Sequence, residues 1–392
     1  MHRPPAPDPL DFVDTRSLLS DVESAVADAV HDLVSRRVLA QVADWFSDGT
    51  FPIRELAPEL GRIGLLGMHL DGYGCAGTNA VSYGLACLEL EAADSGLRSF
   101  VSVQGSLAMF PIHAYGSEEQ RRQWLPGMAA GETIGCFGLT EPDHGSDPMT
   151  MRTSARRHGS DWVLRGTKTW ITNASAADVA VVWAVTDEGV RGFLVPAGTP
   201  GFTQSPIHRK VSLRASVTGE LVLDDVRLPA DAVLPGVTGL RGPLSCLNEA
   251  RFGILFGALG AARTCYATAR SYAVDRVQFG RPIAGFQLTQ RKLAMMVTRL
   301  STGTLLALHL GRLKDQGLLR PEQVSLGKLN NVRAALDTAR EARTILGANG
   351  ISLEYPVIRH VNNLESVLTY EGTHEVHTLV VGQAVTGENA FR

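Results

Sequence analysis

Apolar positions in the first third of the chain recur at helical spacing. Leu19, Val22, Val26, Val30, Leu33 and Val34 do so between Ser17 and about Phe46. Leu56, Leu60 and Ile63 predict a second helix, and Val81, Leu85 and Leu88 a third that ends at Asp94-Ser95-Gly96. Ser117-Glu118-Glu119-Gln120 has the form of a capping box and predicts another helix, which Pro126 is expected to stop. Near Cys136 the pattern changes. Trp162-Val163-Leu164, Thr169 to Thr172, Val179 to Val185, Gly192 to Val195 and Glu220 to Leu228 are short, β-branched or aromatic, and separated by Gly, Pro, Asn and Asp. That spacing predicts a small antiparallel barrel or sandwich. After Pro243 four long helical stretches follow: Leu244 to Asp275, Phe286 to Gln316, Pro321 to Leu346 and Val357 to Val385.

The expected fold is therefore α+β in three consecutive domains. Residues 1–135 form an N-terminal α-helical domain, 136–240 a middle β-domain and 241–392 a C-terminal four-helix bundle. Residues 1–16 read as a loose arm. Composition changes little in this picture: 44% hydrophobic and 20% charged residues suit a globular enzyme. A net charge of −3 gives no reason to expect a nucleic acid or another polyanion as partner. No uninterrupted apolar run approaches the ~20 residues that span a bilayer, so no membrane segment is expected. The N-terminus has no apolar signal core and carries Asp8, Asp11 and Asp14 early. The five cysteines, Cys75, Cys87, Cys136, Cys246 and Cys265, are odd in number and widely spaced, which predicts reduced thiols in a cytoplasm-like compartment.

Gly72-Tyr73-Gly74-Cys75-Ala76-Gly77 fits G-x-G-x-x-G, but a helix precedes it and no parallel sheet follows, so it reads as a glycine-rich loop. His374-Glu375-Val376-His377 spaces its histidines at i, i+3 with no clear third ligand, and no metal is expected. No G-x-S-x-G nucleophile elbow occurs. Phe137-Gly138-Leu139-Thr140-Glu141-Pro142-Asp143-His144-Gly145-Ser146-Asp147-Pro148 is dense in hydroxyls and glycines; it reads either as a domain linker or as a loop wrapped on a polar cofactor edge. Glu371 stands at a Gly-Thr interruption of a helical stretch. It is either an ordinary surface carboxylate at a kink or a base aimed into a cavity.

In this combination and order, the chain resembles the acyl-CoA dehydrogenase family of flavoproteins from about Leu18 to Phe391, most closely its glutaryl-CoA dehydrogenases. Gly72 to Gly77, Asp94 to Ser99, Ser102-Val103-Gln104, Cys136 to Pro148, Lys168 to Asn173, Ser212 to Ser216, Gly347 to Ile351 and Tyr370 to His374 carry the likeness. The resemblance implies FAD as cofactor and Glu371 as the base that removes a Cα proton from an acyl-CoA. The Glu371 N–H and an FAD ribityl hydroxyl would stabilise the thioester oxygen.

The resemblance also assigns cofactor contacts. Phe137, Leu139, Thr140 and Ser146 belong to the flavin loop, Thr172 hydrogen-bonds the ring, and Trp170 packs against it. Arg276, Phe279, Gln287, Gly347, Gly350, Thr373 and Glu375 fall to the rest of FAD. Arg276 and Phe279 are expected to reach it across a subunit boundary of a homotetramer, a dimer of dimers. For substrate the resemblance implies Arg98, Ser99 and Glu91 at the distal carboxylate of a dicarboxylic acyl group, Tyr370 in the pocket, and Ser146. The alternative for Arg98 is a surface side chain with its head in water.

The implied activity is α,β-dehydrogenation of a short dicarboxylyl-CoA, with glutaryl-CoA going to crotonyl-CoA and CO2, and electron-transfer flavoprotein as acceptor. The alternatives are a dehydrogenase of another acyl-CoA or carrier-protein thioester without decarboxylation, and an inactive flavin-binding homologue. Leu97 and Phe100 replace the Tyr and Ala usual beside this Arg, and Phe110 replaces a common His. These larger apolar groups are expected to reshape the acyl pocket.

Overall fold

The computed structural model describes residues 6–391. The chain opens with α1 (Asp21–Arg37), α2 (Val42–Asp48), α3 (Ile53–Arg62) and α4 (Ala80–Ala93). Ser20 and Glu23 close a capping box on α1. Of the arm, residues 1–5 lie outside the described residues. The remainder is held, with Asp11 accepting the Thr15 and Arg16 N–H groups and the Tyr266 hydroxyl donating to the Pro9 carbonyl.

After α4 the chain is more continuously helical than periodicity suggested. It runs through α5 (Ser95–Ser102), a π-helical turn (Val103–Met109), α6 (Phe110–Tyr115) and α7 (Glu118–Ala130). Ser117 and Gln120 form the expected capping box, but α7 continues through Pro126. Pro126 faces solvent there, so water can satisfy the backbone carbonyl its missing N–H leaves free.

The middle sheet holds β1 (Gly135–Gly138), β2 (Ser154–His158), β3 (Asp161–Thr172), β4 (Val179–Thr186), β5 (Gly189–Pro196), β6 (Phe202–Pro206) and β7 (Thr218–Leu228). It is mixed rather than wholly antiparallel. β1 pairs in parallel with β4 over Val179–Val182, and Ser154 of β2 meets Val185 on β4 in the same sense. β1 and β2 thus share one strand, and the intervening residues 139–153 are pushed out of the sheet as a long loop. Both faces of the sheet are covered by apolar side chains, one with the help of α6 and α7.

The C-terminal part contains α8 (Arg241–Asp275), the short hairpin β8 (Val277–Gln278) and β9 (Arg281–Pro282), α9 (Gln287–Asp315) and α10 (Pro321–Leu346). The stretch expected as one last helix is two, α11 (Val357–Thr369) and α12 (His374–Thr386), broken at Tyr370–Thr373. α9 is long and apolar enough on average to cross a membrane, by length and composition only, with Arg299 interrupting its apolar run. It packs on its neighbours through Met296, Ala307, Leu308 and Leu310. α8 is the central helix, buried against α4 on one side and against α10 and α11 on another.

Candidate active site

The break between α11 and α12 is built from backbone conformations that most residues avoid. Tyr370 leaves α11 extended, Glu371 turns left-handed at φ 52°, Gly372 follows at φ 97°, and Thr373 caps α12 by accepting the Val376 N–H at 3.2 Å. A left-handed glutamate costs about 1–2 kcal/mol and persists only where the surroundings impose it. Gly372 admits no side chain, since a Cβ would lie 2.7 Å from His377 Nε2.

Those surroundings are cationic. Lys328, in the interior of α10, donates to the carbonyl oxygens of Tyr370 at 2.5 Å and Gly372 at 2.6 Å. Arg251 of α8 donates Nε–H to the Glu371 carbonyl at 2.7 Å. Glu371 Oε2 is buried and has no hydrogen-bond partner among the described residues. Burial raises the Glu371 carboxyl above its usual range, against the pull of Arg98, Lys328 and Arg251. Burial likewise holds Lys328 below the usual lysine value. His377 beneath the turn is kept neutral, pushed down to about 3 by burial and by the Lys328 and Arg251 charges.

Arg98 is not a surface arginine. It lies on α5, fully buried, with Nε 2.6 Å from Glu91 Oε2, and its Nη2 hydrogen-bonds the Tyr370 hydroxyl. Ser95 donates to the other Glu91 oxygen at 2.8 Å, and Ser99 Oγ is 3.4 Å from the Tyr370 hydroxyl. Arg98 Nη1 has no partner among the described residues. Glu91, expected with Arg98 at the substrate, is the fully buried counter-ion of Arg98. The close approach of α8 makes room for the pair, because a Cβ on Gly257 would lie 2.2 Å from Glu91 Oε2. Asp94 fixes α5 relative to Glu371. It accepts the Gly96 N–H at 2.7 Å, and its other oxygen accepts from Arg359 and Asn363 of α11, the helix that leads into Glu371.

Leu97 and Phe100, expected to crowd this Arg, point elsewhere. Both lie in the first helical core, with Phe100 against Phe51 at 5.9 Å between ring centroids. Phe110 packs edge-on to Tyr115.

The second group lies on the sheet. Lys168 of β3 is buried and reaches the extruded loop, donating to the Leu139 carbonyl and to Glu141 Oε1, both at 2.9 Å. Burial opposes ionisation of Glu141, but hydrogen bonds from Arg152, Thr153 and Lys168 hold its carboxyl down at about 2. The Thr169 N–H donates to the Thr140 carbonyl, which seats the loop on the strand. At Trp170 the β3–β7 register slips, and φ 60° turns the indole out of the sheet to 61% exposure. An exposed indole on a rigid bulge, with the half-buried Thr140 and Thr172 in the same region, offers a flat apolar face with a polar rim. That is the chemistry a flavin ring requires.

Comparison with known proteins decides the kinship. The acyl-CoA dehydrogenase N-terminal, middle and C-terminal domain models match residues 20–132, 136–226 and 238–386. The chain belongs to the acyl-CoA dehydrogenase family. It is similar to a glutaryl-CoA dehydrogenase from Mycobacterium smegmatis, 67% identical with a TM-score of 0.97, covering 98% of this chain and 100% of that one. A second Mycobacterium smegmatis structure, a glutaryl-CoA dehydrogenase in complex with FADH2, is 64% identical with a TM-score of 0.97 over 98% and 100% of the two chains. Among curated relatives, the human mitochondrial short-chain specific acyl-CoA dehydrogenase is 35% identical over 371 residues, 93% of this chain and 90% of that protein.

For this acyl-CoA dehydrogenase, the structure joins Glu91, Arg98, Ser99, Tyr370 and Glu371 into one cluster. Phe137 and Leu139 are buried below the loop, and Ser146 is exposed on it. Thr373 and exposed Glu375 begin α12. Gly347 and Gly350 form the turn after α10. Arg276, Phe279 and Gln287 sit apart, around the exposed β8–β9 hairpin, where Phe279 is 95% exposed. Sequence reasoning missed Arg251, Gly257 and Lys328. Lys328 carried one signal, being among only five lysines in the chain. No group of His, Cys, Asp and Glu among the described residues is arranged to hold a metal.

Proposed function

We propose that the protein binds FAD and dehydrogenates a short dicarboxylyl-CoA, with glutaryl-CoA as substrate and crotonyl-CoA and CO2 as products. The observation that carries this reading is Arg98 Nη1, a buried cationic donor without a partner among the described residues, in the same cluster as Glu371. A buried guanidinium retains an open donor at a cost unless an anion meets it. Charge points the same way. With Lys328 protonated, the cations Arg98, Arg251 and Lys328 face the carboxylates Glu91 and Glu371, leaving one positive charge that an acyl carboxylate neutralises. The 67% identity to a protein named glutaryl-CoA dehydrogenase supports the same substrate.

FAD, when bound, supplies the acceptor for a hydride from the substrate Cβ. Glu371 takes the Cα proton, and its burial strengthens it as a base. The Glu371 N–H stabilises the thioester oxygen as charge develops there. Arg98 holds the distal carboxylate, which leaves as CO2 once the new double bond can carry its electron pair toward the thioester. Glu371, now protonated, returns the proton to the resulting dienolate. The exposed Phe279, Leu288 and Val277 support a homotetramer in which the hairpin meets a neighbouring subunit, and electron-transfer flavoprotein is the proposed acceptor.

Turnover of purified protein with glutaryl-CoA and an artificial electron acceptor, with product analysis, tests this reading. Activity on butyryl-CoA but not glutaryl-CoA overturns the dicarboxylate. Glu371→Gln is expected to retain yellow FAD and lose substrate-induced bleaching; bleaching at the original rate overturns the base.

A further inference from the structure

Lys328 is buried beneath Glu371. An ammonium group inside a helical core costs several kcal/mol in desolvation unless it meets partners of matching charge or dipole. Lys328 lies on a rigid part of α10. One turn on, Asn331 donates to the Leu255 carbonyl at 2.8 Å and the Gly303 carbonyl at 3.3 Å, tying α10 to α8 and α9. From this platform Nζ contacts the carbonyls on both sides of Glu371, and Arg251 holds the carbonyl of Glu371 itself. Three consecutive carbonyl oxygens, of Tyr370, Glu371 and Gly372, are thus anchored by the buried Lys328 and the partly buried Arg251.

The geometry has a consequence for the opposite side of the turn. In a trans peptide the C=O and the following N–H point in opposite directions. Anchoring the Tyr370 oxygen toward α10 therefore directs the Glu371 N–H away from α10. The left-handed φ of Glu371 is otherwise unfavourable, and the Lys328 contacts to the carbonyls on either side of it oppose relaxation of the turn.

We propose that Lys328 is a positioning residue for the reaction: by holding the Tyr370 and Gly372 carbonyls it aims both the Glu371 N–H and the Glu371 carboxylate at the acyl thioester. This rests on Glu371 being the base. The ammonium group does not touch the substrate. It acts by fixing one peptide plane and by placing a positive charge near a carboxylate that must be ionised before it can accept a proton.

The test uses the FAD-loaded full chain. Lys328→Met removes the charge and both donated hydrogen bonds. Lys328→Gln removes the charge but keeps an NH2 group on a shorter arm. Bleaching by glutaryl-CoA is measured in a single turnover, with protiated and Cα-deuterated substrate. Loss of a directed oxyanion donor lowers rates by about 10²–10³-fold, so Lys328→Met is expected to retain FAD and slow by that factor. Its Cα-deuterium isotope effect should rise, because proton removal becomes more rate-limiting. Lys328→Gln should lie between Lys328→Met and the unaltered enzyme, again with a raised isotope effect. Bleaching within threefold of the original in the Met variant overturns the proposal. So does slower bleaching with an unchanged isotope effect, or loss of FAD by both variants, either of which leaves Lys328 a structural lysine. The Glu371→Gln variant keeps the two questions apart. A fast Glu371→Gln removes the base itself, whereas a dead Glu371→Gln beside a fast Lys328→Met removes only the role of Lys328.

Discussion

Replacing Arg98 by Met deletes the guanidinium and keeps an unbranched, flexible side chain in its place. Nε serves Glu91 at 2.6 Å, Nη2 serves Tyr370, and Nη1 is free for an anion. Two separate losses follow. Glu91 remains fully buried with Ser95 as its other partner, and orphaning a buried charge in this way costs about 3–5 kcal/mol of stability. The substrate carboxylate loses its charged partner, a truncation worth about 2–5 kcal/mol. At about 1.4 kcal/mol per tenfold, that is a fall of roughly 30- to 4,000-fold in kcat/KM for glutaryl-CoA. Butyryl-CoA carries no distal carboxylate and escapes this loss. The double variant Glu91→Gln/Arg98→Met removes both charges, so most of the stability should return while the preference for a dicarboxylate stays lost. The assay is kcat/KM for both substrates in the three proteins, beside thermal unfolding. A double variant in which both substrates fall by the same factor refutes the pairing of Arg98 with a carboxylate.

Gly257→Ala places a methyl group against the Glu91–Arg98 pair, and overpacking of this kind costs about 1–3 kcal/mol; an unchanged unfolding midpoint would mean that α8 shifts freely. Glu141 is held at about 2, below the usual carboxylate range, so its contribution is complete above about pH 4.5 and is lost as pH falls toward 2. That contribution amounts to about 3 kcal/mol. FAD release followed by flavin fluorescence should therefore steepen below pH 4.5, and Glu141→Gln should flatten that limb. Trp170→Gly should weaken FAD retention and leave the apoprotein as stable or more so, because it removes an exposed side chain from a left-handed backbone position. A less stable apoprotein with unchanged FAD retention would place the indole in the fold rather than at the flavin.

Much of this protein is legible in its sequence because local rules carry it. The Ser20 and Ser117 caps, the proline that opens α10, the apolar period of α4 and the β-branched runs of β3, β4 and β7 each act within a few residues of themselves. The Gly-Thr pair after Glu371 is likewise a local signal, and it falls where α11 gives way to α12. The mixed sheet was not legible, because the parallel entry of β1 beside β4 joins residues about forty positions apart, a long-range pairing that leaves no periodic trace. Nor was the fate of Leu97 and Phe100, since only the packing of α5 sends them into the core.

The active-site stretch divides in the same way. The sequence by itself determined that a carboxylate sits at a helix break, and that an arginine follows the end of α4 nearly three hundred residues earlier. Only the tertiary structure decided that Glu91 is the partner of that arginine, that one guanidinium nitrogen stays open, and that Lys328 and Arg251 hold the turn from beneath. Caps and breaks arise from neighbours along the chain. Burial, charge balance and the direction of a peptide plane come from side chains that meet only when α5, α8, α10 and α11 pack together.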